Sequence, residues 1–320
     1  MTRLQVTSHS SREAALAEVR RRLEERSQTL PAAIDVRDLY FRVSVVGACN
    51  LSCTFCHNEG APTHGRISHE VIEGAVDAAV AVGFSRVQFT GGEPLLHPDL
   101  HDFIRIARRC IDDVGVTTNG TYLPKRLAEM EGAGLKRLHV SLQTESLNDG
   151  DSAQEWTTPL WLMPTVERAA SGAFRLRLNL PVPADSLPRA ERFLAPLTQR
   201  GISIKVFSIL PEGAATSDSY PADELAALVE RVNLGNQCNK GAGVVELRGY
   251  RPPSGHRCMT CKDRPRCKEQ SHSLRLGADL VLRPCLATRE WDMPIDWPMQ
   301  PEELKGLVQE QALLALDYQW

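Results

Sequence analysis

Three closely spaced cysteines are the residues whose chemistry is most specific in this sequence. Cys49, Cys53 and Cys56 stand in the segment CNLSCTFC, with the spacing C-x3-C-x2-C. Three thiolates on one short loop can hold three irons of a cubane cluster, because cysteine thiolates are the usual ligands of iron–sulfur clusters. The fourth iron is then left for a ligand from outside the chain. The alternative is a zinc knuckle, which is disfavoured because structural zinc normally has four protein ligands.

A second group of cysteines lies near the C-terminal end of the sequence. Its four members could close a second cubane cluster, or they could form a structural zinc site. Cys238 precedes this group and is an alternative fourth ligand. Cys110 stands apart in an apolar-periodic segment and is predicted to be a buried thiol. The members of the second group are Cys258, Cys261, Cys267 and Cys285, with the spacing C-x2-C-x5-C-x17-C.

Alternating strand and helix patterns would position the first cysteine group. Six strand-like runs separated by helical patterns predict an α/β fold with a parallel sheet and right-handed crossovers. Functional groups gather at the carboxyl ends of such strands, where Cys49, the GGEP segment at 91–94 and Thr118 all fall. The predicted strands are 41–46, 86–90, 114–118, 137–143, 174–180 and 202–209, and the helices between them are 68–82, 98–110, 121–133, 160–171 and 187–199.

The sequence divides into three predicted regions. Residues 1–37 are predicted to be an N-terminal helical extension, and residues 38–235 the core. Residues 236–320 are rich in Cys, Arg, Gly and Pro before their last helix, and they are predicted to be a small auxiliary iron–sulfur domain. The elements predicted outside the repeating units are helices at 11–27, 222–233 and 301–316 and strands at 243–249 and 274–283.

One face of the predicted sheet is polar and rich in cations. Side chains alternate between the two faces of a strand, so the apolar set should pack on the helices and the polar set should line a cavity. Arg42, Arg175, Arg177 and Lys205 fall on the polar face, and their strands place no acid there. Several cations in a cavity select an anionic ligand such as phosphate or carboxylate. The alternative for the cations is that they lie at solvated strand ends and bind no ligand. His139 falls on the same polar face, and it is more often a hydrogen-bonded core residue than a catalytic one.

The first cysteine motif, placed just after a strand, resembles the signature of the radical S-adenosylmethionine (SAM) superfamily. The resemblance implies a partial (βα)6 barrel and a [4Fe-4S] cluster whose open iron binds SAM. It implies reductive cleavage of SAM to a 5′-deoxyadenosyl radical that abstracts hydrogen from the substrate. It also implies an external electron donor of the flavodoxin or ferredoxin type. The SAM contacts implied by the resemblance are Phe55, Gly91, Gly92, Glu93, Pro94, Thr118, Asn119, Ser141, Asn179 and Leu210.

Within that superfamily, RVSVVGACNLSCTFCHNEG and SLRLGADLVLRPCL are similar to the GTP 3′,8-cyclase branch of molybdenum-cofactor biosynthesis. The branch implies a second [4Fe-4S] cluster held by Cys258, Cys261 and Cys285, with an open iron that binds the substrate. The extra Cys267 instead resembles the closed auxiliary clusters of SPASM/twitch enzymes. The substrate-binding cations predicted from this resemblance and from the polar face are Arg42, Arg177, Lys205 and Arg275.

Other positions depart from the cyclase branch. Gln88, His97 and Ser273 stand where the branch has arginines, and the chain ends in DYQW without the Gly-Gly tail of the branch. These departures predict an anionic substrate other than GTP, such as a nucleotide, nucleotide sugar or sugar phosphate, in a biosynthetic pathway. The first alternative is a GTP 3′,8-cyclase, and the second is a peptide-modifying radical SAM enzyme. No catalytic side chain is predicted.

Composition narrows the function classes. The chain has 37 basic and 40 acidic residues, with a net charge of −3, which argues against a nucleic-acid partner. No apolar segment is long enough to predict a membrane span, and no signal peptide is evident, so a cytoplasmic location is expected. The non-enzymatic alternative is a zinc-stabilised binding protein.

Overall fold

The centre of the molecule is a ten-stranded sheet in the order β10-β9-β8-β1-β2-β3-β4-β5-β6-β7. The computed structural model describes residues 36–53, 56, 64–143, 147, 156–182, 186–208, 222–236, 242–248, 273–284 and 292–317. The strands are β1 (Tyr40–Ser44), β2 (Arg86–Thr90), β3 (Asp113–Thr118), β4 (Arg137–Ser141), β5 (Arg175–Val182), β6 (Ser203–Ser208), β7 (Val245–Arg248), β8 (Ser273–Leu276), β9 (Val281–Arg283) and β10 (Met293–Pro294).

Helices connect the successive strands of the core, as the alternating pattern predicts. The first helix begins after Ser68, whose hydroxyl accepts a hydrogen bond from the Val71 amide, and ends at Gly83, whose φ is 106°. The helices are α1 (His69–Val82), α2 (Leu100–Arg108), α3 (Leu123–Gly132), α4 (Met163–Ala170), α5 (Leu187–Gln199), α6 (Ala222–Asn236) and α7 (Pro301–Asp317).

The eight strands β1 to β8 run parallel to one another, which confirms the α/β fold with a parallel sheet. The last two strands, β9 and β10, are antiparallel. Alternation places Leu176, Leu178 and Leu180 of β5 in the core, whereas Arg177 and Asn179 between them are only partly buried. The sheet therefore has one face packed on helices and one polar face, as its sequence predicts.

Strands predicted for the C-terminal region pair with the core sheet. β7 pairs with β6 at one edge, and β8 pairs with β1 at the other. The single strand predicted at 274–283 is instead two strands, β8 and β9, joined by a turn in which Leu280 has a φ of 58°. The parallel sheet is thus wider than the six predicted strands.

The final helix packs against the first helix of the core. Glycine at position 74 of α1 makes room for Trp297, because a Cβ atom there would lie 2.8 Å from the indole ring. Leu304 and Val308 of α7 are buried in the same core. The helix predicted at 301–316 is confirmed as α7, which closes one side of the sheet near β8 and β9.

Cys110 is exposed, so the prediction of a buried thiol is wrong. The apolar-periodic segment suggests a helix to residue 110, but α2 ends at Arg108. The chain turns at this point, and the Cys110 amide donates to the Ala107 carbonyl. The thiol consequently lies beyond the apolar face of the helix.

Candidate active site

The segment before the first cysteine lies directly on the glycine-rich turn after β2. The Gly92 amide donates to the Val46 carbonyl at 2.8 Å, and the Glu93 amide donates to the Ala48 carbonyl at 2.9 Å. A Cβ atom at Gly91 would clash with the Val46 carbonyl oxygen, and one at Gly92 would clash with that of Ala48. Both glycines are therefore required by the close approach of the two backbones.

The Glu93 carboxylate joins this turn to the end of β3. One carboxylate oxygen accepts from the Thr118 hydroxyl at 2.6 Å and from the Leu95 amide at 3.0 Å, and the other accepts from the Asn119 amide at 2.7 Å. The side chain is 0% exposed, and burial raises the pKa of Glu93 despite these three donors. The carboxylate therefore holds the two strand ends together.

Side chains from β3 and β4 approach the cysteines. Asn119 has its Nδ2 atom 3.8 Å from the Cys49 Sγ, and the Cys53 thiol donates to the Gln143 carboxamide oxygen at 3.3 Å. Cys56 follows Cys53 closely, and its amide donates to the Cys53 carbonyl at 3.1 Å. Cys49 and Cys56 are exposed. The contact from Gln143 adds to the predicted site a residue that follows β4, two positions after Ser141.

The three thiols fit a cluster with one open iron. They form no disulfide among the described residues, they lie on one loop at the carboxyl end of the sheet, and two of the three residues are exposed. Among the predicted SAM contacts, Asn179 donates to the Ser141 hydroxyl at 3.2 Å across β4 and β5. Gly91 to Glu93, Thr118 and Asn119 form the other connected set, and Pro94 is buried at the start of a short helical turn. Phe55 and Leu210 lie outside the described residues.

Four cations surround His139 on the polar face. Burial is the largest cause that lowers the pKa of His139 well below its ordinary value, and the charges of nearby Arg and Lys residues lower it further. These cations come from four strands, so they converge on one place although they are far apart in sequence. They are Arg42 of β1, Arg137 of β4, Arg177 of β5 and Lys205 of β6.

Two acids on neighbouring strands complete the charge pattern, and sequence reasoning missed both. Asp113 at the start of β3 binds Arg137 at 2.5 Å and the exposed Arg175 at 2.9 Å. Glu246 of β7 binds Arg177 at 3.3 Å. Asp113 was missed because the predicted strand began one residue later, and Glu246 because its strand was assigned outside the core. Arg175 consequently lies at the solvated amino end of the sheet.

The other residues compared with the cyclase branch are buried. Gln88 donates to the Thr117 hydroxyl at 2.9 Å. Each ring nitrogen of His97 contacts a backbone group, the Ile67 carbonyl at 3.1 Å and the Asp99 amide at 3.2 Å, so this histidine serves the structure of its turn. Arg275 is 5% exposed and Ser273 is 3% exposed. Arg275 pairs in register with Arg42, which keeps both predicted cations on adjoining strands.

Comparison with known proteins identifies the chemistry of this site. The radical SAM superfamily matches residues 43–147. A probable GTP 3′,8-cyclase of Methanosarcina mazei is 29% identical over 290 residues, which cover 83% of each chain. A GTP 3′,8-cyclase of Chlorobaculum tepidum is 43% identical over 108 residues, or 33% of each chain. The structure of Streptococcus suis SuiB bound to SAM has a TM-score of 0.59 at 16% identity, covering 96% of this chain and 75% of SuiB, and so shares the fold.

No helix in the part of the chain that the structure describes could span a membrane.

The matched residues 43–147 contain the three cysteines, the glycine-rich turn, Thr118, Asn119 and Ser141. They also include the hydrogen bonds that connect the turn with the end of β3 and the cysteine loop with Gln143 after β4. The chain carries a radical SAM domain over residues 43–147, which indicates an enzyme, and its sequence relatives include proteins named GTP 3′,8-cyclase.

Proposed function

We propose that this radical SAM enzyme acts on an anionic nucleotide, and that the nucleotide is GTP. The structural observation that supports an anionic substrate is the convergence of Arg42, Arg177 and Lys205 around His139. The relatives named GTP 3′,8-cyclase support GTP in particular. The sequence alone favours an anionic substrate other than GTP, so these relatives support the alternative better than that first prediction.

Residues at two levels of the sheet would have different roles, one level binding the cluster and SAM and the other binding the substrate. At the carboxyl end, Cys49, Cys53 and Cys56 would hold a [4Fe-4S] cluster, and the turn at Gly91 and Gly92 would receive SAM. When bound, the cluster supplies the electron for reductive cleavage of SAM, and an external flavodoxin or ferredoxin would supply that electron in turn. Deeper on the polar face, the cations would bind the phosphates of the substrate by charge-assisted hydrogen bonds.

A second candidate is an enzyme for another anionic small molecule, such as a nucleotide sugar or sugar phosphate. The observation that favours it is the position of Gln88, a neutral residue beside Arg42 in the register of β1 and β2. Its amide donates to Thr117 and is buried, so it supplies no positive charge where the cyclase branch has an arginine. A substrate with fewer phosphates than GTP would need fewer cations here.

The C-terminal cysteines are proposed to hold a second cluster. Cys258, Cys261, Cys267 and Cys285 lie outside the described residues, and we propose that these four thiolates close one [4Fe-4S] cluster. The anaerobically reconstituted protein should then contain roughly eight irons per chain, and added substrate should leave the electron-spin signal of this cluster unchanged. Cys267→Ala should open one iron and make that signal sensitive to substrate. A zinc content near one per chain would contradict this proposal.

The experiment that tests the main proposal is an anaerobic incubation of the reconstituted enzyme with SAM, a strong reductant and GTP. We expect GTP to be converted to a 3′,8-cyclised product together with release of 5′-deoxyadenosine. Cys53→Ala should form neither product. If SAM is cleaved while GTP returns unchanged, GTP is not the substrate, and the same incubation with nucleotide sugars and sugar phosphates tests the second candidate.

A further inference from the structure

His139 is placed to contact a ligand on the polar face. It lies in the middle of β4, in register with Thr117 of β3 and Arg177 of β5. Its side chain is partly buried, and no described residue forms a hydrogen bond with either ring nitrogen. His97 shows the contrasting arrangement, because both of its ring nitrogens contact the backbone. Within the part of the chain that the structure describes, the ring of His139 is thus not held by a hydrogen bond to another side chain or to the backbone.

Burial, and after it the charged groups around His139, lower the pKa of its ring. Arg42, Arg177 and Lys205 face the ring from β1, β5 and β6, and Arg137 lies on the same strand. Two acids offset part of this positive charge, because Asp113 binds Arg137 and Glu246 binds Arg177. Burial and the cations nevertheless lower the pKa of His139 well below its ordinary value. A phosphate group bound among these cations would offset much of their positive charge.

We propose that His139 binds the anionic group of the substrate and takes up one proton from solvent as that group enters among Arg42, Arg177 and Lys205. The inference rests on the proposed anionic substrate and adds a residue that senses its charge. The neutral ring offers one N–H donor, and protonation of the other nitrogen makes both nitrogens donors. A protonated ring forms a stronger, charge-assisted bond to phosphate than a neutral ring does.

The expected pH dependence follows from this proton uptake. The free ring binds its proton only well below pH 6.5, and the anion-bound ring retains it to a higher pH. Between those two values each anion bound brings one proton, so affinity falls as pH rises, by at most about tenfold per pH unit. Arg42, Arg177 and Lys205 stay charged over this range and contribute no such dependence.

Calorimetry of GTP binding to the reconstituted holoenzyme, without reductant, tests this inference. Titrations in two buffers of different ionisation enthalpy give the number of protons taken up. His139→Gln should bind GTP more weakly than wild type, and on binding it should take up fewer protons, by at most one. The phosphates of GTP titrate equally in both proteins, so their contribution cancels. The control His101→Gln, on α2, should match wild type.

The outcomes separate this inference from the proposed function. If GTP binds wild type and His139→Gln with the same proton uptake, the inference is wrong and the proposed function stands. If GTP does not bind wild type at all, the proposed GTP site itself is wrong. Unchanged SAM binding is the check that His139→Gln folds, and His139→Asn is the second variant if it does not. Either variant removes the titrating ring but keeps a polar side chain.

Discussion

At the scale of single residues, Glu93 connects more segments of the site than the GGEP motif alone indicates. Its carboxylate accepts three hydrogen bonds, from Thr118, Leu95 and Asn119, and is 0% exposed. Asn119 in turn donates to the Asn50 carboxamide at 2.9 Å, within the cysteine loop. Glu93 thus connects the glycine-rich turn, the end of β3 and the loop that carries the cluster ligands. Groups around metal ligands orient them in this way.

Replacing Glu93 with alanine should destabilise the fold as well as the site. A buried donor that loses its acceptor costs about 1–3 kcal/mol, and this change deprives the amides of Leu95 and Asn119. We therefore expect the free energy of unfolding, measured with urea, to fall by at least that amount. The control Glu73→Ala removes an exposed carboxylate 3.5 Å from Arg109 and should change stability by less than about 0.5 kcal/mol.

The pH dependence of stability gives a second test of Glu93. Burial raises its pKa in the folded protein above the unfolded value of about 4.3. The stability of wild type relative to Glu93→Gln should then be greatest below that unfolded value and should decline as pH rises through the folded pKa. A difference between the two proteins that does not change with pH would mean that the pKa of Glu93 is the same in the folded and the unfolded protein.

Substitution of Cys53 should separate the cluster cysteines from the other thiols. Cys53→Ala removes one of three ligands, so the variant should lose roughly four irons per chain and should release no 5′-deoxyadenosine. Cys110→Ala is the matched control, because that thiol is exposed beyond the end of α2. It should keep full iron and full SAM cleavage. Equal iron contents in the two variants would show that Cys53 is not a ligand.

At the scale of elements, the site depends on how closely two loops meet. The loop after β1 and the turn after β2 exchange backbone hydrogen bonds at Gly92 and Glu93. Parallel strands β1 and β2 lie side by side, so their carboxyl ends bring the cysteines and the GGEP segment together. The pairing of β1 and β2 therefore brings the loop and the turn together, and the glycines leave room for their backbones to come into contact.

Gly92→Ala should disrupt the contact between the turn and the cysteine loop and should affect SAM cleavage more than stability. The added methyl group would lie 2.5 Å from the Gly47 carbonyl oxygen, so the backbone must shift, which typically costs about 1–3 kcal/mol. SAM cleavage should fall more than stability, because the shift displaces the cysteine loop. The control Gly132→Ala adds a methyl group to α3 with no atom within 4 Å and should stabilise by about 0.5–1 kcal/mol. Wild-type SAM cleavage by Gly92→Ala would contradict the role of this turn.

Local patterns predict the elements better than their long-range pairing. The periodicity of residues 187–199 predicts α5 with both ends as observed, because one amphipathic segment contains the whole signal. The sequence also predicts a strand at 243–249 and a single strand over 274–283 where β8 and β9 lie, but the pairing of β7 with β6 and of β8 with β1 depends on contacts across the whole chain. For the same reason Glu246 could not be placed beside Arg177, nor Gln143 beside Cys53, from sequence alone.

At the scale of the whole molecule, the polar face of the sheet has two ends with different charge. At the amino end, Asp113 binds both Arg137 and the exposed Arg175 and offsets their charge. Nearer the carboxyl end, the charges of Arg177 and Lys205 act on His139, with Glu246 as a described acid among them. An anion should therefore bind at the second level, below the cysteine loop.

Two arginines on the same strand and the same face test this distribution. Arg177→Ala should weaken GTP binding to the reconstituted enzyme roughly ten- to a hundredfold, because a hydrogen bond to a charged group contributes about 1.5–3 kcal/mol. The change also leaves Glu246 beside Lys205, its register partner, which makes the site less cationic. Arg175→Ala removes a side chain that is 72% exposed and bound to Asp113, so GTP binding should change less than about threefold.

Binding of GTP, measured by calorimetry without reductant, and binding of SAM provide the two readouts for both variants. SAM should bind both as it binds wild type, since its predicted contacts lie at the carboxyl end of the sheet. Added salt should weaken GTP binding to wild type more than to Arg177→Ala, because the variant has one cation fewer to screen. Equal losses of GTP affinity in Arg177→Ala and Arg175→Ala would mean that net charge alone attracts the anion. A loss confined to Arg177→Ala would place the anion between β5 and β6.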